Sequence, residues 1–225
     1  YGDPLEDLGN IAVREFWNPC GGLTGLFELY ERESGIPYDR FRARYYAVHQ
    51  NVRGMIPIHY VCANAHPRES LAWYLAYRYI GDRSTTEMLA LAMDVELEPP
   101  DLPEDGSGEA DVLADAALYA QNHDVAPKLA DAFAASRARD VATRVACMDR
   151  RRRYAAALDA ATLDDVRALL GRASGDAAVA TLPDALAAFD AAVREERLDD
   201  DVVIRALARK AVRDEWLHAP AVALY

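Results

Sequence analysis

The chain has 225 residues, 37 of them acidic and 25 basic, with a formal net charge of −12. That length suffices for one large or two small cores. The acidic balance excludes general nucleic-acid binding, which needs a positive surface against phosphates. No apolar run approaches the roughly 20 residues of a membrane span, so no membrane partner is expected. Cys20, Cys62 and Cys147 lie far apart with no CxxC spacing. Neither a disulfide scaffold nor a structural zinc is expected, and a cytoplasmic setting fits.

Alanine is abundant, period-2 alternation is almost absent and helical periodicity runs nearly throughout, so the fold class is all-α. The first helix opens with Asp3 as N-cap, Pro4 at the first helical position and Glu6 three residues after the cap. Leu5, Leu8, Ile11 and Ala12 form its apolar stripe, closed by Phe16 and Trp17. Asn18-Pro19-Cys20-Gly21-Gly22 ends it. A second helix is expected over 24–34, stopping at Gly35. The third spans 38–64 with the stripe Phe41, Tyr45, Val48, Val52, Met55, Ile56 and His59, and Pro57 inside it should kink it. Two shorter helices, 66–80 and 83–93, are expected to hinge at Gly81-Asp82.

Residues 95–108, VELEPPDLPEDGSG, lack periodicity and read as a linker. Beyond them five helices are expected, over 110–123, 126–158 with a break near Ser136, 163–172, 183–196 and 200–217. Short turns between them imply a small antiparallel bundle. The run Arg150–Arg153 reads as a solvated helix face. In the last helix Val203, Leu207, Val212, Trp216 and Leu217 form a packing stripe.

The opening GDPLEDLGNIA resembles a segment of the aminoglycoside phosphotransferase family, small-molecule kinases with a protein-kinase-like fold. Gly2-Asp3-Pro4 and Asp7-Leu8 match the family's GDPxxDLA element, with Gly9 where Ala is common. Trp17 after the first helix, the LY…SG helix ending at Gly35 and the YYAVHQNVRG helix continue the likeness across residues 1–94. The family's HGD…N catalytic stretch, its DWE triplet and its ATP-binding lobe have no counterpart here. His123-Asp124 lacks a following Asn at the right distance. The resemblance therefore implies the helical C-terminal subdomain of a kinase-like phosphotransferase over 1–94, starting just past the catalytic core, then the 95–108 linker. An accessory helical bundle over 109–225 resembles a small helical domain of unknown function through ADVLADAALYAQNHDVAPKL and DDDVVIRALARKAVRDEWLHAP.

Phosphoryl transfer needs Mg²⁺ held by carboxylates, a cradle for the phosphates and an acid orienting the attacking hydroxyl. No catalytic residue is expected in this chain and no cofactor bound by it alone; ATP and Mg²⁺ are implied for a parent enzyme. The expected role is the acceptor-binding portion, with a missing N-terminal kinase portion and a hydroxylated small molecule as partners. The alternative is a non-catalytic interaction or oligomerisation module, for which a second copy is a candidate partner. By resemblance Asp3 and Asp7 support the catalytic loop; by local chemistry Asp3 caps a helix and Asp7 is a first-turn carboxylate favoured by the dipole. Candidate substrate-binding residues are Trp17, Asn18, Tyr45, His49, Arg53 and His59. Tyr45, His49 and Arg53 share a helix face and could grip an anionic or hydroxylated acceptor, and packing is the competing role for each. A face of the first and third helices left bare would mark where the rest of a kinase lobe packs.

Overall fold

A computed structural model describes residues 2–17, 24–66, 68–174 and 179–224. Among them every regular element is helical: α1 (Pro4–Trp17), α2 (Thr24–Ser34), α3 (Arg40–Asn64), α4 (Leu71–Ala92), α5 (Val112–Tyr119), α6 (Ala132–Ser174), α7 (Leu182–Arg194), α8 (Asp200–Leu217) and α9 (Ala219–Val222). A π turn (Ala120–Val125) and a 3-10 turn (Ala126–Lys128) join α5 to α6. The fold is all-α. No described helix is long and apolar enough to cross a membrane.

The start of α1 follows from its cap. Asp3 Oδ1 accepts the Leu5 N–H at 3.0 Å, and Pro4 occupies the first helical position, where its missing N–H costs nothing. Leu5 and Leu8 pack with Phe27 of α2 in a small core edged by Tyr30, Tyr38 and Tyr46. Gly9 sets the approach of α1 to α3: an added Cβ would stand 2.7 Å from the Tyr46 carbonyl carbon and 2.8 Å from the Ala47 nitrogen.

The expected apolar stripe of α3 is not its buried face. Ala43, Ala47 and Asn51 point inward, whereas Phe41, Tyr45, Val52 and Ile56 are 59%, 54%, 43% and 66% exposed. The physical reason is that α3 is packed on two sides, by α1 and by α4. Ala43 and Ala47 let both neighbours approach closely, and Phe41, Tyr45, Val52 and Ile56 lie off that contact face. Buried Asn51 then bonds across to α4, with Nδ2 2.7 Å from Thr85 Oγ1 and 3.0 Å from Ser84 Oγ.

Three expected breaks are absent: at Gly81-Asp82, near Ser136 and between 158 and 163. The segments 66–80 and 83–93 form the single helix α4, whose N-terminus is Leu71. Gly81 is a contact rather than a hinge, since a Cβ there would collide with the Met55 side chain of α3. Residues 132–174 likewise form one 43-residue helix. Thr162 donates its hydroxyl to the Leu158 carbonyl at 2.8 Å, so a side chain that could have ended the helix is absorbed within it. The expected bounds of α8, 200–217, match the structure.

Helix α4 faces α3 on one side and α6, α8 and α9 on another. Asp140 of α6 accepts the Ala72 N–H at 2.9 Å, capping α4 from a neighbouring helix. A further core of Val166, Leu170, Phe189 and Val203 joins α6, α7 and α8.

Residues 95–108 contain no helix but are tied down. The Tyr154 hydroxyl accepts the N–H groups of Gly106 at 2.9 Å and Gly108 at 3.2 Å, and Arg150 pairs with Asp105 at 2.6 Å. This corrects the solvated-face reading for Arg150 and Arg153, while Arg151 and Arg152 are exposed as expected. The side chains of Arg150 and Arg153 are only 11% and 16% exposed, because this loop lies against them and Arg150 also stacks on Trp216, 3.8 Å from the ring centroid.

Candidate functional site

A cleft of about 550 Å³ opens between α3, α4 and α8. Helix α3 contributes Val52, Met55, Ile56 and His59, and α8 contributes Leu207, Lys210, Ala211 and Asp214. Both sets follow i, i+3, i+4, i+7, the spacing of one helical face. Between them α4 presents Asp82, Thr85 and Thr86. The walls are mainly aliphatic, and the polar groups gather at a few points.

At one such point His59 Nε2 lies 2.6 Å from Asp82 Oδ1, and Arg78 Nε stands 3.8 Å from the other Asp82 oxygen. In the neutral tautomer that donates Nε2–H to this carboxylate, Nδ1 carries the lone pair and can accept a hydrogen bond from a hydroxyl. On α8, Lys210 pairs with Asp214 one turn on. Thr85 is committed to the fold, since its hydroxyl donates to the Gly81 carbonyl at 2.7 Å and accepts from Asn51. The cleft can therefore hold a molecule with an apolar body and a few hydroxyl or amino groups.

The structure separates the other candidates from His59. Tyr45 and His49 stack with centroids 6.3 Å apart and planes 10° apart. They lie exposed with Arg53 on the outer face of α3, so the Tyr-His-Arg grouping exists but does not line the cleft. Trp17 ends α1, but its side chain and all of Asn18 lie outside the described residues.

Asp3 is anchored between α1 and α3: besides the Leu5 N–H, its carboxylate accepts the Tyr46 hydroxyl at 3.1 Å and pairs with Arg42. The Leu5 N–H foremost, with help from Tyr46 and Arg42, holds its pKa below the usual carboxylate value against the opposing effect of burial. Asp7 is exposed in the first turn. His123 packs 4.5 Å from the Tyr119 ring, and Asp124 pairs with Lys128 at 3.5 Å.

Sequence reasoning missed Asp82, Lys210 and Asp214. Asp82 follows Gly81 and reads from sequence as part of a hinge. In α8 the available signal was the polar pair Lys210 and Asp214 falling on the same face as Leu207 and Ala211. Among the described residues no group of three or more His, Cys, Asp or Glu is placed to hold a metal ion. No protein-family model, curated protein or solved structure matches this chain.

Proposed function

We propose that this chain is the acceptor-binding portion of a small-molecule phosphotransferase. In this reading a kinase portion outside the sequence supplies ATP, Mg²⁺ and the catalytic loop. The observation that carries it is the cleft between α3, α4 and α8, with aliphatic walls and the His59–Asp82 pair at 2.6 Å. The likeness of GDPLEDLGNIA to a phosphotransferase segment supplies the reaction class. Among the described residues no three His, Cys, Asp or Glu side chains are grouped to hold a metal ion. What the chain's own residues do is bind and orient: Val52, Ile56 and Leu207 take the apolar body of the acceptor, and His59, fixed by Asp82, accepts a hydrogen bond from its hydroxyl.

The test has two parts. Titration calorimetry of this chain against a panel of hydroxylated amines and amino sugars should find a ligand whose binding is weakened about ten-fold by His59→Ala. The gene product as it exists in its source should then phosphorylate that ligand in the presence of Mg²⁺-ATP. Binding that ignores His59→Ala, or a ligand that the native product never phosphorylates, would sink the proposal.

A second reading is a helical interaction module; the exposed face of α3 suits it as well as it suits the packing of the rest of a kinase lobe. The exposed face of α3 carries Phe41, Tyr45, Val52, Ile56 and Tyr60, of which Val52 and Ile56 also border the cleft. On α1, by contrast, Leu5 and Leu8 are buried within the chain, so the bare face expected on both helices is found on α3.

A further inference from the structure

The outer face of α3 has an unusual charge. Across its 25 residues the helix contains Arg40, Arg42, Arg44 and Arg53 and no acid, in a chain of net charge −12. Arg42, His49 and Arg53 follow one edge of the exposed stripe at helical spacing. Arg42 is engaged by Asp3; among the described residues no acid pairs with Arg53. This is an apolar stripe with a cationic border.

The chain carries a second exposed apolar face of opposite border charge. Helix α5 has no buried residue, and Val112, Leu113 and Tyr119 are 78%, 81% and 64% exposed. Residues 109–125 contain Glu109, Asp111, Asp115 and Asp124 and no Lys or Arg. Asp111 and Asp115 flank the α5 stripe and reach their nearest cations, Arg152 and Arg153, only at 3.6 and 3.8 Å.

We infer that the α3 face is an interface for a second copy of this chain, which seats its α5 helix along the stripe. Charge selects the pairing. An α3-to-α3 contact would bring Arg42 and Arg53 edges together, and an α5-to-α5 contact would oppose carboxylates. Only the mixed contact sets arginines against acids while burying both apolar stripes. The surfaces differ, so the contact is heterologous unless two copies exchange it reciprocally. Val52 and Ile56 of the stripe also border the cleft, whereas Phe41, Arg53 and all of α5 lie outside it, so substitutions at those positions test this contact apart from the acceptor reading.

Sedimentation equilibrium and light scattering on the 225-residue chain test it. The expected mass exceeds 24.8 kDa and rises with concentration. Phe41→Asp and Leu113→Asp, both on exposed positions, should each weaken association about ten-fold or more, with circular dichroism unchanged. Arg53→Glu and Asp115→Arg should each weaken it alone, and an equimolar mixture of the two should recover it. A chain that stays monomeric overturns the inference. So does association that survives Leu113→Asp, which would mean that α3 seats something other than α5.

Discussion

The imidazole of His218 lies flat on the ring of Tyr79, with centroids 3.8 Å apart and planes 12° apart. His218 is buried just past α8, where its Nδ1–H donates to the Asp214 carbonyl at 2.8 Å. Its Nε2 faces the Arg151 guanidinium at 3.4 Å. A guanidinium only donates, so Nε2 must carry the lone pair and the ring is neutral. Burial foremost, then the positive charges of Arg151 and Arg78, push the His218 pKa down to about 4, against the pull of the Asp214 carbonyl and carboxylate. Burial likewise pushes the Tyr79 phenol up to about 12. The stacked pair ties α4 to the end of α8, and the folded chain favours the uncharged form of His218.

Stability should therefore fall on the acid side of neutrality. Unfolded His218 takes a proton near pH 6.5, but the folded chain resists until about pH 4. Between those values the unfolded state binds more protons, so the His218 contribution is complete above 6.5 and is lost as pH drops toward 4. The loss amounts to about 3 kcal/mol at most. Urea unfolding at pH 7 and pH 4.5 measures it. His218→Gln should be less stable at pH 7 and should show a flatter dependence across this window. A variant with the wild-type slope would place the dependence elsewhere.

Two helical glycines should respond to alanine with opposite signs. At Gly54 an added Cβ meets nothing within 4 Å, so Gly54→Ala should gain about 0.5–1 kcal/mol from helix propensity. At Gly9 the Cβ would strike the backbone of Tyr46 and Ala47, which cannot rotate away. Gly9→Ala should lose about 1–2 kcal/mol net, as the overpacking of α1 on α3 outweighs the propensity gain. Thermal unfolding of the two variants side by side decides it.

Much of the helix inventory was legible, and the reasons for the misses are specific. The start of α1 is written in Asp3-Pro4, and the bounds of α8 are set by acids at one end and His218-Ala219-Pro220 at the other. Gly81 misled because a glycine inside a helical pattern reads equally as a break or as a close contact, and only the position of Met55 distinguishes them. The α3 face misled because large apolar residues usually mark the inside. Here close approach to two neighbours put Ala43 and Ala47 inside instead. The cleft was half legible: His59 was singled out on chemistry, while Asp82 depends on how α3 and α4 cross. No local pattern encodes that crossing.

Asp140 should be a costly position. It is buried at 4% exposure, caps α4 through the Ala72 N–H and pairs with Arg144 at 2.8 Å and Arg137 at 3.5 Å. Asp140→Ala removes the cap and leaves two half-buried guanidinium groups without their shared carboxylate. The expected loss is about 3–5 kcal/mol. Asp140→Asn keeps an acceptor for Ala72 and should lose less. Equal destabilisation by the two would show that charge alone matters and that the cap contributes nothing.

Tyr154 should govern the loop more than the fold. Its ring packs with Leu158 and Leu217 and meets Trp216 edge-on at 5.0 Å, and phenylalanine can keep all of that. Its hydroxyl is the shared acceptor for Gly106 and Gly108, whose N–H groups hold the phenol below its usual pKa, Gly108 foremost. Tyr154→Phe strips that anchor and leaves Asp105–Arg150 and the Arg152 bond to the Glu109 carbonyl, at 2.7 Å, to hold residues 105–109. Limited proteolysis should then cut this loop roughly five-fold faster, because cleavage tracks the population of the locally open form. The melting temperature should move little. If cleavage stays at the wild-type rate, the arginines alone hold the loop closed. Arg150→Ala should then release it, and that variant would also lose the guanidinium stacked on Trp216.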